Sequence, residues 1–82
     1  MQLFTVYDSK AQAHLNPFAM RTKGEAIRSF EQECKNPESS FCKFPSDFTL
    51  LSIGEWDEET GEVKPSTHNV LATASEFVKN IN

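Results

Sequence analysis

Glycine is scarce: the 82 residues contain three, at positions 24, 54 and 61. None of them starts a glycine-rich turn of the kind that cradles phosphates, which argues against nucleotide-binding loops of that type. Histidine and cysteine are equally rare, with two of each: His14, His68, Cys34 and Cys42. Neither histidine has a serine or cysteine beside it in an activating arrangement. The four together lack the short ligand pairs of a zinc site, so neither a metal nor a cofactor is expected. No apolar run is long enough to cross a membrane. The opening residues, Met1 to Asp8, lack the basic and apolar regions of a secretory leader. The expectation is a cytoplasmic protein with no membrane partner. Its thiols should be reduced, with Cys34 buried on a helix and Cys42 on a loop.

What is present suits one small folded domain spanning residues 1–82. Apolar residues make up 38% and charged residues 24%, a globular balance. A chain this short buries only about 60–65% of the surface it exposes when unfolded. The seven phenylalanines, one tyrosine and one tryptophan are therefore needed largely as core. The formal net charge is −4, and it is unevenly placed. Residues 1–54 are balanced, whereas Glu55, Asp57, Glu58, Glu59 and Glu62 crowd one stretch. That stretch lacks the ligand register of a calcium loop, and solvated carboxylates are poor general acids. It reads as a solvated hairpin tip.

Periodicity supplies the elements. Leu3 to Asp8 alternates and is rich in β-formers, which predicts a strand. Ala11 to Asn16 is open between a loop and one irregular turn, and Phe18 to Arg21 reads as a second short strand after Pro17. Thr22-Lys23-Gly24-Glu25 is a capping box. Behind it Ala26, Ile27, Phe30 and Cys34 form one helical stripe, predicting a helix from about Lys23 to Lys35 that Asn36-Pro37 stops. Glu25–Arg28 and Glu31–Lys35 have ion-pair spacing. Glu38 to Asp47 reads as a connection pinned by Phe41 and Phe44. Phe48 to Trp56 is the strongest strand, with apolar groups on both faces that place it inside the sheet. Asp57 to Gly61 reads as a hairpin loop, with Gly61 as its left-handed residue. Glu62 to Lys64 begins the return strand, and Pro65 suits an edge. Leu71, Ala74, Phe77, Val78 and Ile81 recur at helical spacing, predicting a second helix over about 70–80. The order β-β-α-β-β-α implies an α+β fold: an antiparallel sheet of three to four strands with two helices on one face.

Three functional classes remain. Phe18, Arg21, Lys23 and Arg28 gather around the second strand and the start of the helix. Cations for the backbone and aromatics for the bases are the groups that single-strand binding uses. Phe4, Tyr7, Phe18 and Trp56 could form a stacking platform or be core. The second sheet face, carrying Leu51 and Ile53 or their opposite set, predicts pairing with a copy of the chain, a two-fold homodimer. An enzyme is the least supported class.

Several stretches together resemble one family. They are Leu3 to Ala11, Asn16-Pro17-Phe18, Thr22 to Phe30, and Asp47 to Leu50 running on to Ile53 through Asp57. They are similar to the small non-structural protein of gokushoviruses, tailless single-stranded DNA phages of the Microviridae. The resemblance implies a non-enzymatic phage protein of the host bacterial cytoplasm, described as DNA-binding or as a replication switch. It would act in single-stranded DNA genome replication or packaging. Lys10, Arg21, Lys23 and Arg28 are the basic positions within its motifs. With Phe18 they form the candidate nucleic-acid site. The alternative is a homo-oligomeric interaction module that binds a viral replication protein, a procapsid protein or a host protein and no nucleic acid.

Overall fold

Alternation along the first strand, β1 (Gln2–Asp8), sends Phe4 and Val6 to one face and Leu3 and Tyr7 to the other. A computed structural model describes residues 1–78 and places β1 inside an antiparallel sheet. The remaining strands are β2 (Ala13–His14), β3 (Phe18–Met20), β4 (Phe48–Trp56) and β5 (Val63–Thr73). Two helices intervene, α1 (Lys23–Cys34) and α2 (Ser40–Lys43), with short 3-10 turns at Pro45–Asp47 and Ala74–Glu76. The α+β class and the antiparallel sheet are as expected. The sheet has five strands rather than three to four, because one edge is interrupted. Tyr7 pairs with His14, and Phe4 pairs with Phe18, along the same side of β1. Pro17 has no N–H for the ladder, so the strand breaks there into β2 and β3. Leu15 bridges the gap: its N–H donates to the Val6 carbonyl at 2.8 Å, and its carbonyl accepts from the Thr5 hydroxyl at 2.8 Å.

The core lies on one face of the sheet. Phe4 and Val6 of β1, Phe48 and Leu50 of β4 and Ala72 of β5 meet Ala26, Phe30 and Cys34 of α1 there. The α1 helix starts where its capping box predicts. The Thr22 hydroxyl accepts from the Glu25 N–H at 3.1 Å, and the Glu25 carboxylate accepts from the Thr22 N–H at 3.2 Å. That engagement explains a difference from the sequence pattern. Glu31–Lys35 forms at 2.7 Å, and it is the single ion pair found among the described residues. Glu25 serves the cap instead of Arg28. The connection after α1 is more ordered than expected. Phe41 on α2 packs between Phe30 and Phe48, with ring centroids 5.4 Å and 4.6 Å away. Phe44 pins nothing and is 59% exposed. Cys42 lies half-buried on α2 rather than on a loop, and both cysteines are free.

The helix predicted over about 70–80 does not form among the described residues: its first residues are strand, a 3-10 turn occupies Ala74–Glu76, and Phe77 and Val78 are not helical. Residues through Thr73 belong to β5, where Leu50 pairs with Ala72 and Leu51 with Val70. Val70 and Thr73 are β-branched, and β4 offers its whole free edge as a ladder. The strand ends because Thr73 caps the following turn, its N–H donating to the Glu76 carboxylate at 2.7 Å. Leu71, Ala74, Phe77 and Val78 still reach the core, so the apolar spacing marks burial but not helix. Only residues 79–80 of that prediction, and Ile81 of its apolar spacing, lie outside the described residues.

At the hairpin tip, Asp57 organises the turn. Its carboxylate accepts from the N–H groups of Glu59 and Thr60, at 2.9 and 3.3 Å. Gly61 adopts φ +78°, the left-handed conformation expected of it. Among the described residues no helix covers the other sheet face, where Leu3, Tyr7, Leu51 and Ile53 are half-buried and Val70 is 65% exposed.

Candidate nucleic-acid interface

Two of the five candidate residues stand together. Arg21 and Lys23 flank the capping threonine, just after β3 has paired with Gln2, Leu3 and Phe4. The Arg21 carbonyl accepts from the Gln2 side-chain amide at 3.5 Å, which holds this segment at the N-terminal end of β1. Lys10 is not part of the group. It follows the other end of β1, about 20 Å away at a strand rise of ~3.3 Å per residue. Arg28 is separated differently. It lies five positions beyond Lys23 on α1, hence turned by about 140° and raised by about 7.5 Å. Phe18 is half-buried, its ring stacked 5.7 Å from the fully buried Phe4. The proposed aromatic platform is therefore not assembled: Phe4 is core with Phe18 packed against it, and Tyr7 lies half-buried beside His14 near the other end of β1. Trp56 is 37% exposed, at the same end of the sheet as Arg21.

Sequence spacing misses one cation of this end, Lys64. It lies on β5 opposite Glu55, within reach of the Arg21–Lys23 segment. Two adjoining cavities bring these groups into contact with solvent. One, of about 500 Å³, is walled by Arg21, Lys64, Trp56 and the carboxylates from Glu55 to Glu62. The other, of about 460 Å³, is walled by Lys23 and Lys64 with Gln2, Ser52, Ser66 and Asn69. Glu55 and Gln2 border both. The first cavity therefore presents mainly negative charge, and the second is weakly positive. Arg21, Lys23 and Lys64 form no ion pair among the described residues, which leaves their charges available to a partner.

The histidines and thiols are arranged for other purposes. His14 and His68 come from opposite edges of the sheet, yet their rings lie 6.1 Å apart, and Tyr7 lies 4.7 Å from His14. Cys34 is enclosed in the core, and burial pushes its thiol up from 9.0 to about 11, with smaller contributions from Cys42, Glu33 and Glu31. Among the described residues, no three His, Cys, Asp or Glu side chains gather as a metal site. No helix among them is long and apolar enough to cross a membrane.

Comparison with known proteins places the chain in a family. No curated protein and no solved structure matches the chain. The family model described as Phage ORF5 protein matches residues 1–77, nearly its whole length. The chain belongs to the Phage ORF5 protein family.

Proposed function

We propose that this phage protein is a non-enzymatic factor in single-stranded DNA genome replication or packaging of a gokushovirus-type phage, and that it contacts single-stranded DNA weakly. The observation that carries this is the grouping of Arg21 and Lys23 with Lys64, without ion pairs among the described residues, at one end of the sheet. Cations without internal partners release counterions when they meet phosphate, and that release drives non-specific affinity. The nearby carboxylates and the overall charge of −4 keep the affinity low and confine contact to short range. Lys10 and Arg28 act at most as peripheral charges, given their distance from the group. Burial of Cys34 withdraws that thiol from nucleophilic chemistry, which supports a recognition role.

The test is binding of an oligothymidylate at low and moderate salt. The wild type should bind at low salt and lose affinity steeply as salt rises, and Arg21→Glu with Lys23→Glu should abolish binding. No affinity even at low salt would end the DNA reading.

One observation favours a second reading, a homo-oligomeric module that engages a viral replication protein, a procapsid protein or a host protein. The sheet face bearing Leu3, Tyr7, Leu51, Ile53 and Val70 carries no helix among the described residues, and a second copy would cover it. Light scattering should then return twice the monomer mass, and a monomer at high concentration would remove this support. The two readings are compatible if the dimer presents two copies of the cationic end.

A further inference from the structure

The β4–β5 ladder is irregular at one point. Ser52 pairs with Asn69 and Gly54 with Pro65, so Ile53 alone faces Ser66, Thr67 and His68. Two local causes fix this bulge. Pro65 offers no N–H to the ladder. Gly54 lets the β5 backbone come so close that a Cβ there would collide with the Lys64 carbonyl oxygen and sit 3.1 Å from the Pro65 Cα. Lys64 is thereby anchored beside the gap that the bulge opens. That gap is the open cleft of about 460 Å³. Ser52, only 6% exposed, forms part of its wall.

The wall chemistry is specific. Lys23 arrives from the first turn of α1 and Lys64 from β5, while Gln2, Ser52, Ser66 and Asn69 supply neutral hydrogen-bonding groups. All six side chains can donate hydrogen bonds, and two of them carry positive charge. We propose that this cavity seats one backbone phosphate of single-stranded DNA, held between the ammonium groups of Lys23 and Lys64. The assignment rests on the single-strand reading above and names its ligand group and a further contact residue, Lys64. A duplex fits poorly. Its stiffness would carry the second strand over the carboxylates from Glu55 to Glu62, whereas a single strand can bend away from them. Glu55 is the internal competitor. It is the cross-strand neighbour of Lys64, and it borders the same cavity. In the free protein its carboxylate attracts the ammonium group that the phosphate would take.

These roles predict opposite signs at two paired positions. Fluorescence anisotropy with labelled oligothymidylate, from 50 to 200 mM salt, reads them directly. Lys64→Gln should weaken binding roughly three- to tenfold at the lowest salt and flatten the salt dependence by about 0.7 in log–log slope, the loss of one phosphate contact. Glu55→Gln should tighten binding. Lys35→Gln, just past the far end of α1, should bind as wild type. A folding defect would not produce this pattern of one loss and one gain. If Lys64→Gln binds as wild type while the Arg21→Glu, Lys23→Glu variant does not bind, the phosphate seat is refuted and the single-strand reading stands. If Lys35→Gln loses as much as Lys64→Gln, attraction is diffuse and the seat is again refuted. If the wild type does not bind at all, both fall.

Discussion

Replacing Gly54 by alanine tests the packing that fixes Lys64. The added methyl group would be driven against the Lys64 carbonyl oxygen and the Pro65 Cα, both backbone atoms of the neighbouring strand. Neither can step aside as a flexible side chain would, so β5 must shift. Overpacking of this kind costs about 1–3 kcal/mol. Alanine also narrows the unfolded ensemble, which returns about 0.4–1 kcal/mol. The net loss should be about 1–2 kcal/mol, and at about 4–8 °C per kcal/mol the melting midpoint should fall by several degrees or more. Urea unfolding followed by fluorescence of Trp56, the single tryptophan, reads the free energy. Gly24→Ala is the internal control. Its new Cβ would lie 3.8 Å from the Thr22 hydroxyl oxygen, an ordinary contact, on the exposed first turn of α1. There the same chemical change should stabilise, by up to about 1 kcal/mol. Equal stability of Gly54→Ala and wild type would refute the close approach of β4 and β5, and with it the anchoring of Lys64.

Three further outcomes follow from the fold. Thr22→Ala removes one half of a capping box with both bonds formed, so urea unfolding should report a loss of about 1 kcal/mol. Leu50→Ala empties the centre of the core, where Leu50 is fully buried, and should cost about 2–5 kcal/mol, enough to leave much of so small a domain unfolded at 37 °C by circular dichroism. Cys34 gives a pH signature. Its thiol is held protonated in the folded state, so the stability this confers is full below pH 9 and declines as pH rises towards about 11, by an order of 2 kcal/mol in total. Denaturation midpoints across that window should fall for wild type and fall less for Cys34→Ala. In the native protein at pH 8 a thiol reagent should label Cys42 well before Cys34.

Local signals in the sequence are the ones that the structure repeats. The Thr22–Glu25 box, the stripe from Ala26 to Cys34, the alternation from Phe48 to Trp56 and the left-handed Gly61 each depend on neighbours within a few residues. The misread segment is the one whose fate is set at long range. Leu71, Ala74 and Phe77 have helical spacing, but the free edge of β4 and the β-branched Val70 and Thr73 favour a strand. The candidate site divides in the same way. Arg21 and Lys23 are close in sequence and stay close in space. Lys10 and Arg28 are also near in sequence, but β1 and the helical turn carry them elsewhere. Lys64 joins the group only through the β4–β5 register, and the approach of His68 to His14 likewise depends on how the two sheet edges meet. No spacing rule along the chain anticipates either.

The most direct test is a nuclear magnetic resonance titration of the protein with oligothymidylate at low salt. Shifts should concentrate on Gln2, Arg21, Lys23, Ser52 and the backbone from Lys64 to Asn69, leaving Lys10 and the far part of α1 unmoved. An unchanged spectrum, or shifts centred on Lys10 or on the sheet face around Leu51 and Val70, would contradict single-strand recognition at this end of the sheet.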